Sequence, residues 1–379
     1  MTTLPARLEP LALPAPDAAA HRPGGLLARL SVRWSRLTRR EFWPWWVLYV
    51  LLLPHFARLV LRHRSLTAFT AANPGIPLGG LVGESKWDIL RSLPPEAIVP
   101  SAVLEPELSP RYGHRGSTRL RALDDVMSER VWQYPLVLKP DVGERGTGVA
   151  LVRDREEATA YLASHPGRIV AQTYDRGPFE AGVFYFRHPG KTKGRIFSIT
   201  DKKFPSVQGD GASTLRTLIW SHPRLRLQAR TLLEQLGERA DSVPAADEVV
   251  PLSIRGNHCR GTMFLDGANL ITPELEEAID SIARRTPGFF FGRFDIRYSC
   301  PRAFARGREF RVVELNGVLS ESTNIYDPSL SLPQGLRILA EQWTLAFAIG
   351  AANTRQGIPP ASIRRILRAL RDHADRQTS

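Results

Sequence analysis

The chain is poor in the residues that staple small folds or bind soft metals: 379 residues include two cysteines and three methionines. Cys259 and Cys300 lie far apart, outside any CxxC or Cys/His spacing. That excludes a disulfide scaffold, argues against zinc, and fits a reducing, cytosolic setting. Acidic side chains are also few, 38 against 51 Lys and Arg, for a formal net charge of +13 and a pI near 10.3. Such a balance favours anionic partners: nucleotides, acidic metabolites or phospholipid surfaces. A GC-rich genome is the plainer source of part of the arginine excess. No RNA-recognition signature, zinc finger or basic–aromatic ladder occurs, so nucleic acid is not an expected partner. No GK[ST] closes a glycine loop, which excludes a Walker motif. An uncharged apolar run of the ~20 residues that a simple membrane span needs is missing as well.

What remains is an ordinary globular balance, 43% hydrophobic and 23% charged. Residues 1–40 read as a disordered tail, rich in Pro and Ala, then basic through Arg29, Arg33, Arg36, Arg39 and Arg40. Residues 41–68 form a hydrophobic helical segment, FWPWWVLYVLLLPHFARLVL at its centre. Its tryptophans Trp43, Trp45 and Trp46 suit a lipid–water boundary, while Pro54, His55 and Arg58 interrupt the run. Both flanks are basic, so an interfacial or re-entrant segment at residues 42–61 satisfies the charges better than a crossing. That predicts a membrane-associated protein on the cytoplasmic face. The alternative is a core helix of the soluble domain.

Residues 69–129 read as a small α/β region, with a short helix in ESKWDILRSLP and a strand in AIVPSAVL. From residue 130 to 355 strands and helices alternate. PLVLKP, RIVAQTY, EAGVFYFRH, GRIFSITDKKFPSV, GRFDIRYS and EFRVVELNG read as strands. The pattern is α+β, without the strict βαβ repetition of a doubly wound sheet. Residues 356–379 hold a basic amphipathic helix with Ile363, Ile366, Leu367 and Leu370 on one face, expected to pack on the domain.

Chemistry concentrates in the last two strands. Alternation puts Arg293 and Asp295 on one face of GRFDIRY. It puts Glu314 and Asn316 on one face of RVVELNG, with Val313 and Leu315 opposite. Paired as a hairpin, the strands let Asp295, Glu314 and Asn316 converge. Three oxygen donors without thiolates suit Mg²⁺, one or two ions, with Mn²⁺ also accepted. Arg293 on that face can neutralise a transferring phosphoryl group. The plain alternative is a polar strand face with cross-strand ion pairs. Upstream, PLVLKPDVGERGTGV ends a strand on Lys139 and follows it with Gly143, Gly146 and Gly148. A lysine and a glycine-rich loop suit phosphate oxygens, though such a loop is often only a turn.

In this order the elements resemble the ATP-grasp superfamily, and within it D-alanine–D-alanine ligase and the ATP-grasp part of cyanophycin synthetase. The resemblance covers about three fifths of the chain. It implies an ATP-grasp fold, two α/β sub-domains clasping ATP. It implies that Lys139 and Gly143–Gly148 hold the triphosphate. Gln172, Thr173 and Tyr174 would form the hinge against adenine, Glu180 would bind ribose, and Lys202 or Lys203 would supply a second phosphate lysine, Lys203 preferred. QGDGASTLRTLI resembles a GDG-containing turn of the cyanophycin-synthetase relatives. Metal residues match best, as Asp295, Glu314 and Asn316, with Arg293 as catalytic cation beside Lys203. The departures are Gln172, where the family carries an acid, a hinge-to-Glu180 spacing one residue longer, and no large domain before the core.

The implied activity is ATP- and Mg²⁺-dependent joining of a carboxylate and an amine through an acyl phosphate. A phosphotransferase or a non-catalytic ATP-binding membrane protein are the alternatives. SIRGNHCRGT offers Arg255, Asn257, His258 and Arg260 to an anionic substrate or to ATP, the alternative being a charged surface loop. GVLSESTNIYDP offers Ser320, Glu321 and Ser322 to the acceptor pocket. Small-molecule or envelope-related carboxylates and amines are the expected substrates.

Overall fold

A computed structural model of the chain describes residues 43–106, 117–143, 146–252 and 261–378. It divides into two compact units. Of the described residues, the larger holds those within Leu48–Asp201, Asp266–Ile325 and Pro333–Ser379, the smaller those within Lys202–Leu265 and Tyr326–Leu332 together with 43–47.

The chain enters through α1 (Trp45–Leu51) and α2 (Leu53–His63), then α3 (Lys86–Leu90), β1 (Ser101–Leu104) and α4 (Ser117–Glu129). Next come β2 (Leu136–Pro140), β3 (Ala150–Val152), α5 (Arg155–Ser164), β4 (Ile169–Thr173), β5 (Phe179–Phe186) and β6 (Arg195–Lys203). The smaller unit adds β7 (Ser206–Gln208), α6 (Leu215–Ser221), α7 (Ala229–Leu236) and β8 (Val249–Pro251). Then follow β9 (Met263–Asp266), α8 (Pro273–Arg285), β10 (Phe291–Tyr298), α9 (Pro301–Ala305), β11 (Phe310–Asn316), α10 (Leu332–Arg355) and α11 (Ile363–Thr378).

Two sheets order these strands. One is antiparallel in the order β1-β4-β2-β3. Its core sets Leu136, Leu138, Ile169 and Ala171 against Leu120 and Leu123 of α4 and Ala158 and Leu162 of α5. The other runs β11-β10-β5-β6-β9. One face of it buries Val183, Tyr185, Phe294 and Ile296 against Leu275, Ile279 and Ala283 of α8. Those positions recur one helical turn apart, and Thr272 caps the helix by accepting from the Leu275 N–H. The opposite face carries Phe184 and Phe291, which pack with α2 and α10 through Leu59, Trp343 and Phe347. In the smaller unit β7 pairs with β8, over a core of Leu215, Ile219, Leu232 and Val250. Asp210 of its GDG turn accepts from the Ala212 and Ser213 N–H groups. The Ser213 bonds pull its carboxyl down to about 2.

Three expectations change here. The hydrophobic segment is two helices rather than one. Pro54 has no N–H and its ring crowds the Val50 carbonyl one turn back, so the helix breaks at Leu52. Its inner face is core: Leu48, Leu52 and Leu59 are buried, and His55 Nε2 bonds the Ala340 carbonyl at 2.9 Å. Among the described residues no helix is long and apolar enough to cross a membrane. The C-terminal helix packs less than its pattern predicts, because Ile363, Leu367 and Leu370 are exposed. Finally, the alternation breaks at Val313: the register slips between Asp295 and Ile296, Ile296 faces Val312, and Val312 joins Leu315 in the core.

Candidate active site

That slip is a β-bulge, and it builds the site. Arg293 registers against Asn316 and Asp295 against Glu314, so four polar side chains share the face that Phe291 and Phe184 begin. The extra residue lets Val312 and Leu315 both enter the core although three positions separate them. It also turns the Val313 carbonyl toward the other sheet of the larger unit. There it accepts from Lys139 Nζ at 3.2 Å and from Gln172 Nε2 at 3.4 Å.

Arg293 clamps Asp295 through Nε at 2.9 Å and NH2 at 3.2 Å, and gives NH1 to the Glu321 carbonyl at 3.0 Å. A guanidinium has five N–H donors, so one remains on each terminal nitrogen. Burial works against its charge, but Asp295, Glu314 and Glu321 offset this and hold its pKa above the ordinary value. Room for the arginine comes from Gly182 on β5, opposite Asp295. A Cβ there would stand 3.0 Å from Arg293 Cδ. Asn316 Nδ2 lies 3.5 Å from Asp295 Oδ2.

Lys139 is buried. Desolvation lowers its pKa to about 8, with Glu314 and Asp295 pulling upward and Lys86 downward. Lys86 is a second lysine here, which pattern reading passed over because ESKWDIL reads as an ordinary capped helix. Ser85 caps α3 by accepting from the Asp88 N–H. The buried Asp141, two residues past Lys139, accepts from Ser85 Oγ at 3.0 Å and the Trp87 N–H at 2.8 Å. Held so, Lys86 donates to the Gly143 carbonyl and sits 3.5 Å from Glu314 Oε1. Gly146 and Gly148 both have positive φ, and a Cβ on Gly148 would meet Pro140 Cγ at 2.6 Å.

Gln172 is buried on β4. Its Nε2 donates to Ser101 Oγ at 2.8 Å, which in turn donates to the Val99 carbonyl at 2.6 Å. That chain fixes the amide orientation and leaves Gln172 Oε1 buried without a hydrogen-bond partner. The Thr173 N–H goes to the Pro100 carbonyl at 3.0 Å and that of Tyr174 to Pro135 at 3.4 Å. Glu180 accepts from Arg297 Nε at 3.0 Å, its cross-strand partner, and Arg297 lies 5.9 Å from the Tyr174 ring centre.

Lys202 is buried and Lys203 half-buried at the end of β6, and both count with the smaller unit. Ser320 bonds back to the Gly317 carbonyl at 2.5 Å, as a turn residue does. Arg255, Asn257, His258 and Arg260 lie outside the described residues.

Among the described residues no cluster of three His, Cys, Asp or Glu side chains forms a metal group. The candidate set is two carboxylates and an amide. Their oxygens make an all-oxygen set without thiolates, which fits a hard cation.

No family model matches the chain, and no curated protein matches it. Among solved structures it is similar to the bifunctional glutathione synthetase of Pasteurella multocida. Identity there is 18%, over 67% of this chain and 35% of that one, with a TM-score of 0.36. It is similar to the VanG D-Ala:D-Ser ligase of Enterococcus faecalis at 15% identity, over 65% and 57%, with a TM-score of 0.34. A D-alanine–D-alanine ligase of Bacillus anthracis matches at 15%, over 72% and 67%, with a TM-score of 0.37. The chain thus spans about a third of the length of the first and little over half of the second. Each of these neighbours is a ligase or synthetase by name.

Proposed function

We propose that this chain is an ATP- and Mg²⁺-dependent carboxylate–amine ligase acting through an acyl phosphate. The observation that carries the reading is the bulged strand pair. It gathers Arg293, Asp295, Glu314 and Asn316 on one face and offers the Val313 carbonyl to the lysine that precedes the glycine loop.

In this reading Lys139 and Lys86 hold phosphate oxygens beside the backbone of the glycine loop. The orphaned Gln172 Oε1 accepts the adenine amino group, which removes the cost of a buried acceptor left unpaired. Glu180 binds ribose, its carboxylate oriented by Arg297. Asp295, Glu314 and Asn316 would hold Mg²⁺, which would supply charge neutralisation at the phosphates. Lys203 as second phosphate lysine, and Arg255–Arg260 as substrate contacts, rest on the resemblance and the sequence.

A substrate carboxylate oxygen attacks the γ-phosphorus, the bond to the β–γ bridging oxygen breaks, and ADP leaves. The amine then attacks the acyl carbon, loses a proton, and phosphate departs with the C–O electron pair. Arg293 directs its two remaining N–H groups at the transferring phosphoryl, where positioning and charge dominate the barrier.

Hydroxylamine trapping tests the chemistry. A ligase forms a hydroxamate from substrate carboxylate, ATP and Mg²⁺. ATP-dependent phosphorylation of an alcohol, with no hydroxamate from any carboxylate, would make the protein a phosphotransferase.

A further inference from the structure

The outer face of α2 is apolar and basic in alternate rows. Leu53, Ala57 and Leu61, each one turn after the last, are exposed, Leu61 at 77% of its surface. Pro54, Arg58 and Arg62 are exposed in the adjacent row. No Asp or Glu occurs between Glu41 and Glu84. In α11, Ile363, Leu367 and Leu370 are exposed together with Arg364, Arg365, Arg368 and Arg371. Its acids, Asp372 and Asp375, fall after those positions.

The segment 68–72 that follows α2 ties these helices to one region of the larger unit. Asn353 Nδ2 of α10 donates to the Ala71 carbonyl at 2.8 Å. The Ala361 N–H, just before α11, donates to Thr70 Oγ1 at 2.8 Å. His63 at the end of α2 lies 6.0 Å from Phe347 of α10, ring centre to ring centre.

We propose that the outer faces of α2 and α11 bind an anionic lipid surface, lying in it rather than crossing it. Exposed leucines flanked by arginines match that solvent: the aliphatic side chains enter the acyl boundary while the guanidinium groups reach up to phosphates. A second copy is a poorer occupant. Face-to-face contact would set Arg58 and Arg62 against the same arginines, with no carboxylate on α2 to pair with them. On α1, Tyr49 donates to Glu321 Oε1 at 2.8 Å, and the carbonyl of Glu321 accepts from Arg293. Lipid binding is nonetheless independent of the ligase reading and is scored without ATP.

The test is co-sedimentation of the full chain with phosphatidylcholine vesicles, alone or equimolar with phosphatidylglycerol. Binding is expected to the anionic vesicles and to weaken with salt. Leu53→Gln with Leu61→Gln, and separately Leu367→Gln with Leu370→Gln, should each weaken it about tenfold. Arg58→Glu with Arg62→Glu should weaken it at least as much. All these positions are exposed, so the thermal melts should stay unchanged. Equal binding by every variant would assign it to another segment and overturn the proposal. So would variants that keep lipid binding but turn a dimer into a monomer on sizing with light scattering.

Discussion

At the scale of single residues the site depends on charges held where water is scarce. Lys139 has its pKa depressed to about 8 by burial. Below that value the lysine is charged in both folded and unfolded chains, and the folded state bears the cost of a buried cation. Between about 8 and the ordinary lysine value the folded chain sheds its proton first, so this group's contribution to stability rises with pH. ATP affinity should move the opposite way. KM for ATP should rise by up to about tenfold per pH unit above 8, and Lys139→Arg should flatten that profile. An unchanged profile in the arginine variant would remove Lys139 from the phosphates. Asp295→Asn keeps the shape but loses the charge that Arg293 and a cation share, and should cut kcat by about 10²–10³-fold. Gly182→Ala places a methyl group 3.0 Å from Arg293 Cδ. A displacement that small should lower kcat by about tenfold with little change in KM for ATP. Steady-state ADP release reads both effects. At this scale strand alternation sufficed to group Arg293, Asp295, Glu314 and Asn316. It misplaced Val313, because a bulge is set by tertiary pairing and not by local pattern.

Among elements, the short helix α3 depends on one buried carboxylate. Asp141 holds Ser85, the Trp87 N–H and, at 3.3 Å, Arg168. Asp141→Ala strands those donors and should cost about 2–4 kcal/mol of stability. It should also raise KM for ATP by loosening Lys86. Chemical denaturation and ATP titration measure the two separately, and a variant that loses neither would make the α3 contact incidental. Periodicity was enough to read α8 and most strands, since a single apolar stripe or alternation governs each. It missed α10, the 24-residue helix Leu332–Arg355. That helix is buried on several sides, and its Gly350 lies so close to α2's sequel that a Cβ would meet the Ala68 carbonyl at 1.9 Å. Lys86 was equally hidden, since its side chain is held by the Gly143 carbonyl, 57 residues on, and by Glu314 rather than by its neighbours.

For the molecule as a whole, the central claim is that the bulged strand pair couples ATP cleavage to the joining of a carboxylate and an amine. The most direct measurement is Mg²⁺-dependent ADP release by the purified chain against pooled amino acids and small carboxylates, with lipid-linked acceptors added as a separate arm. Asp295→Ala and Glu314→Ala run beside it. Release is expected to require both a carboxylate and an amine and to disappear in both variants. Release that proceeds with neither substrate class, or that survives in both variants, would contradict it.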